Sequence, residues 1–143
     1  MSRRGSRASD SRHYYDWLEF AAEDLHCAGI LLEERQCALA AGFHCQQAIE
    51  KAVKAFVLYR TGVHVDGHNI TWLCRHAAKY DKAFLQWLDK TPALNRLYIE
   101  TRYPADMPVL LDFDDLDRIC RVAEEIYDFI CGQVYADADA EEE

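Results

Sequence analysis

The stretch Phe43-His44-Cys45-Gln46-Gln47-Ala48-Ile49-Glu50-Lys51-Ala52-Val53-Lys54-Ala55-Phe56 decides how this chain reads. Cys45, Ala48, Ile49, Ala52, Phe56 and, just beyond it, Tyr59 recur at three- and four-residue steps. That period predicts a helix over roughly Ala40 to Arg60 with one buried stripe. Gly62 supplies its C-terminal stop. At roughly 100° per residue, His44, Gln47, Lys51 and Lys54 fall within about 80° of one another, with Glu50 at the stripe's edge. The helix is therefore expected to bury one face and present a line of amide and ammonium donors on the other. Such a line suits phosphate oxygens or a base edge. The ordinary fate of a Lys/Gln/Glu face is solvation, with Glu50 and Lys54 forming an i,i+4 pair worth about 0.3 kcal/mol.

The same period continues on both sides. Tyr14, Leu18, Ala21, Leu25, Ala28 and Leu32 predict a first helix from Tyr14 to Glu34, with Glu19, Glu23, His26 and Glu33 opposite. After the loop Val63 to His68, Asn69 is placed to cap a third helix running to about Tyr80. A short helical piece follows at Phe84 to Leu88. Thr91-Pro92 opens a fourth helix that reaches about Arg102 and is stopped by Pro104. A linker leads to Asp112, Asp114, Asp115 and Asp117, acids gathered where a helix N-terminus favours them. Leu116, Ile119, Ala123, Ile126, Ile130 and Val134 give that last helix one apolar face. No strand-like alternation and no internal repeat is present. The expected fold class is all-α, an up-and-down bundle of four main helices plus a short extra helix. The expected domains are a disordered arm over 1–12, a bundle over 13–135 and an acidic disordered tail over 136–143.

Composition narrows the function. A chain of 143 residues, half of them apolar and 12% aromatic, is one domain with a real core. Net charge is -9, unevenly spread: the first twelve residues hold four Arg against one Asp, and the last seven hold five acids and no base. An acidic domain argues against a broad duplex-binding surface, though not against a local cationic pocket. No apolar run approaches the ~20 residues of a membrane span, and no apolar segment follows the Arg-rich start, so a cytoplasmic location is expected. The six cysteines are scattered over predicted helices without a Cys-x-x-Cys pair. Cys37, His44 and Cys45 lack the second Cys/His pair a zinc site needs. Reduced thiols, no metal and no cofactor are expected.

Four patterns resemble the HEPN family of small helical nucleotide- and RNA-associated domains. They are Ala22-Glu23-Asp24-Leu25 with its Leu-rich sequel, Cys45 through Ala55, Gly67-His68-Asn69-Ile70 followed by Leu73, and Tyr98-Ile99-Glu100-Thr101-Arg102-Tyr103-Pro104. The resemblance spans about 14 to 134. It implies a bundle of four or five helices, commonly a homodimer. It also implies pairing with a minimal nucleotidyltransferase in a toxin–antitoxin-like module. Some members of the family are metal-independent ribonucleases with Arg and His separated by about four to six residues, where His handles the 2'-hydroxyl proton and Arg the phosphate charge. Others are nucleotide- or partner-binding domains. In this chain the last helix has no His; Arg60 and His64 are separated by three residues, Arg60 and His68 by seven. Arg7 and His13 enclose five, but at a ragged N-terminus.

No catalytic residue is therefore assigned. The expected ligand-binding set is Gln47, Lys51, Lys54, His68, Arg102 and Tyr103. Each has a plainer role open to it: His68 packing a corner, Arg102 pairing with Glu50 or Glu100, Tyr103 plugging the bundle. The expected function is a homodimeric nucleotide- or RNA-phosphate-binding domain acting beside a nucleotidyltransferase-fold partner, away from membranes. The alternatives are a metal-independent ribonuclease and a structural dimerisation module.

Overall fold

The structure, a computed structural model, describes residues 10–100 and 112–142, with side chains over 10–98 and 112–136. Arg102, Tyr103 and Arg7 lie outside the described residues, as does most of the N-terminal arm. Among the described residues the fold is entirely helical: α1 (Tyr14–Glu34), α2 (Ala38–Thr61), α3 (Ile70–Ala78), a 3₁₀ segment (Lys82–Trp87), α4 (Thr91–Glu100) and α5 (Phe113–Glu142).

The element ends follow from local chemistry. α1 turns back on α2 through Arg35 and Cys37, both left-handed at φ 54 and 53. The Arg35 and Gln36 amides close α1 by bonding the Leu32 and Leu31 carbonyls. Arg35 then anchors this turn to the start of α5, 2.9 Å from Asp117 and over the Phe113 ring. Gly62 caps α2 at φ 75, the position its sequence placement predicts. Asn69 caps α3 by accepting the Trp72 amide at 2.8 Å. Asp112 accepts the Asp114 amide at the head of α5.

Several boundaries differ from expectation. The short piece after α3 is a 3₁₀ segment over Lys82–Trp87, opened by Asp81 accepting the Ala83 amide. The α5 backbone continues as helix to Glu142, past Tyr135 where the acidic tail was expected to begin; the alternating Ala and acid residues there are compatible with helix. At the other end Ser11 is tied into the fold, although it fell within the expected arm. Its hydroxyl donates to Asp16 and its carbonyl accepts from Trp17 and His64.

The larger revision concerns α2. It packs against α1, α3, α4 and α5, so it is the central element, and its buried residues run from Ala41 to Leu58 on nearly every side. The expectation of one buried face and one exposed donor face therefore fails. Phe56 meets Phe84 with ring centroids 4.6 Å apart, and Ile49, Val53, Leu73, Leu97, Ile126 and Ile130 complete the core around it. The polar residues of α2 are held in a half-buried seam between this core and the solvent.

Candidate functional site

Two carboxylates organise that seam. Glu50 is only 6% exposed. A buried charge is tolerable only when donors surround it, and they do. Lys54 reaches back one turn to Glu50 Oε2 at 2.9 Å. His68 donates Nδ1–H to the same oxygen at 3.0 Å. Gln46, fully buried, donates to Glu50 Oε1 at 3.1 Å and to the His68 carbonyl at 3.3 Å. Gln47 donates to Gln46 Oε1 at 2.8 Å. An amide relay thus runs Gln47 to Gln46 to Glu50.

Asp24, on α1, is the second carboxylate and is 7% exposed. It accepts from Lys51 Nζ at 2.6 Å and from His44 Nδ1 at 2.8 Å. Each lysine of the seam therefore has one carboxylate beside it. Lys51 also lies 5.8 Å from the centroid of the exposed Phe20 ring. The His68 ring stacks on Tyr98 with centroids 4.5 Å apart and planes 13° apart. With Nδ1 committed to Glu50, the other ring nitrogen of His68 has no bonded partner among the described residues.

These groups open onto space. Gln47, Glu50, Lys51, Lys54, His64 and His68 line a cavity of about 380 Å³, and Asp10, Trp17 and the loop Val65, Asp66 and Gly67 complete its walls. A second cavity of about 540 Å³ adjoins it, sharing Trp17, Lys51 and Asp10 and adding Phe20. The first is polar and faces the seam; the second offers aromatic walls beside the Lys51 ammonium. A larger groove of about 810 Å³ runs between α1 and α5, but Glu33, Glu34, Glu124 and Asp128 line it. No lysine or arginine lines that groove to offset its carboxylates, whereas Lys51 and Lys54 stand among the acids of the smaller pair, which is therefore the better candidate for a phosphate.

Of the residues expected from the sequence, Gln47, Lys51, Lys54 and His68 line this one cavity. Arg102 and Tyr103 lie outside the described residues. Four participants escaped the sequence reading. Asp24 sits among the inward positions of α1 (Ala21, Ala28), and a lone acid on an apolar face signals a buried partner. Gln46 carried no such signal, because it falls beside the apolar stripe. His64 and Tyr98 come from a loop and from α4, joined to the seam only by tertiary structure.

The HEPN domain matches this chain over residues 14–134. The chain belongs to the HEPN family. Among solved structures it is similar to TT1696 from Thermus thermophilus, with a TM-score of 0.75 and 27% identity over 84% of this chain and 97% of that one. It is also similar to ST0689, an archaeal HEPN homologue, with a TM-score of 0.67 and 26% identity over 85% of this chain and 98% of that one. No curated protein matches it.

Proposed function

We propose that this HEPN domain binds a phosphate-bearing ligand, a nucleotide or a segment of RNA, in the cavity lined by Gln47, Lys51, Lys54 and His68. It does so as a homodimer that partners a minimal nucleotidyltransferase in a toxin–antitoxin-like module. The observation that carries the ligand reading is the convergence of these four polar side chains on one cavity with an aromatic-walled neighbour. Phosphate oxygens accept from the two ammonium groups and the Gln47 amide, a ribose hydroxyl donates to the remaining His68 nitrogen, and a base packs against Trp17 and Phe20. Because Asp24 and Glu50 already neutralise the lysines, the site selects by directed hydrogen bonds more than by net charge. The partner reading rests on family membership.

Calorimetric titration with ATP, GTP and a short RNA tests the ligand reading. Binding that Lys51→Ala and Lys54→Ala weaken by about tenfold each is expected. No heat and no shift with any of the three removes it. RNA shortened by the purified protein would replace it with the ribonuclease alternative. Co-expression with a nucleotidyltransferase-fold protein encoded alongside should give a complex on gel filtration, and its absence would remove the partner reading.

A further inference from the structure

The exposed side of α3 is aromatic and basic, although the net charge of the whole chain is -9. Trp72, His76 and Tyr80 recur every four residues, a step of about 6 Å along the axis. The Trp72 and His76 rings are parallel within 11° at 5.2 Å, and Tyr80 meets His76 edge-on at 5.9 Å. Trp72 leaves 49% of its surface in water. An indole exposed to that extent in a row of rings calls for a partner. Arg75 and Lys79 stand exposed between the rings, and Lys82 follows. None of these three cations makes an ion pair among the described residues. The one acid between Ile70 and Lys82, Asp81, is taken by the Ala83 amide and the Gln133 side chain. The row begins four residues after His68, which lines the cavity described above.

We infer that the exposed face of α3 is a stacking track for single-stranded nucleic acid, with bases laid on Trp72, His76 and Tyr80 and phosphates on Arg75, Lys79 and Lys82. Partly exposed rings interleaved with cations that make no ion pair among the described residues are the kind of surface that binds single strands without reading sequence. A duplex hides its base faces, and a net charge of -9 opposes its long phosphate array. An acidic peptide would use the cations but gain nothing from the ring planes. The inference deepens the preceding reading by making the ligand a strand, and it rests on that reading only in taking the strand's end to enter the cavity. The track itself stands on other residues.

The test is fluorescence anisotropy of a labelled twelve-residue oligouridylate at low salt, run beside ATP titration. All the substituted side chains are exposed, and circular dichroism checks the fold of each variant. Trp72→Ala should weaken oligouridylate binding by about tenfold, and the double variant Arg75→Glu, Lys79→Glu by at least as much. ATP binding should be unchanged in both. Oligouridylate affinity indifferent to Trp72→Ala overturns the inference, as does wild-type protein that binds no oligouridylate. Equal binding of a polyglutamate peptide of matched charge also overturns it, because the surface would then be a docking face for an acidic protein. If ATP fails to bind while Trp72-dependent oligouridylate binding persists, the cavity reading falls and the track stands.

Discussion

His68 and Glu50 meet at 3.0 Å, joining the loop before α3 to the middle of α2. The loop's imidazole, stacked on Tyr98, thereby fixes one edge of the cavity to the central helix. The contact is also a folding constraint, because Glu50 is nearly fully enclosed.

Removing the Glu50 carboxylate leaves Lys54 without its acceptor in a poorly hydrated place, and leaves Gln46 only the His68 carbonyl. Glu50→Ala is expected to cost about 3 kcal/mol, at the lower end for a broken buried pair because His68 can turn to water. Glu50→Gln keeps the shape and one acceptor oxygen and should cost roughly half of that. Urea denaturation at neutral pH measures both. Equal stability of Glu50→Ala and the parent would show that the seam is not a structural network.

Asp24 restrains Lys51, one of the groups a phosphate would need. Asp24→Asn removes the charge that holds Lys51 and His44 while preserving the side chain's size. If the cavity takes phosphate, this substitution strengthens ATP binding by roughly tenfold, about 1.4 kcal/mol, as an anion no longer competes with a neighbouring carboxylate. Calorimetry reads the change, and an affinity that falls instead would reassign Asp24 as a ligand-positioning group.

The buried thiols set an alkaline limit. Burial pushes the Cys74 thiol from its ordinary 9.0 up to about 12. A hydrogen bond to Cys120, and burial after it, push the Cys45 thiol in the same direction. Such a folded state retains protons that the unfolded chain releases above about pH 9. The stabilisation is therefore fully present below about pH 9 and declines as pH rises toward about 12. The urea midpoint should drop between about pH 8.5 and about pH 10.5, and Cys74→Ala should flatten that slope. In native protein, a thiol reagent should label the exposed Cys37 first and leave Cys45 and Cys74 untouched until unfolding.

Trp87 is buried, with its ring against Phe129, yet its indole N–H has no acceptor among the described residues. Trp87→Phe deletes that unsatisfied donor along with some apolar area. The two effects oppose each other, so a stability change within about 1 kcal/mol is expected, far less than the about 3–5 kcal/mol of a buried Trp→Ala change. Thermal melts of the two variants give the comparison.

The helices were legible because their signals are local. The apolar period of α1 and α5, Gly62 at the end of α2 and Asn69 at the head of α3 each depend on near neighbours in the chain. The depth of α2 was not legible. Its period marks one apolar stripe, and only the arrival of α3 and α4 on its far side buries Gln46 and Glu50. The cavity was half legible. Gln47, Lys51 and Lys54 share a helix face that a wheel reveals, whereas Asp24, His64 and Tyr98 join them from three other segments, and no spacing rule connects those.

The position of α2, enclosed by four other elements, sets the order in which the molecule comes apart. Its amide hydrogens should be the last to exchange with deuterated solvent, opening only when the whole domain opens. The short α3 has water on one side, so its amides should exchange through smaller, cheaper fluctuations. The strand-facing surface proposed on α3 would then sit on a more readily loosened element than α2, and an occupant there would register as slowed exchange over Ile70–Ala78.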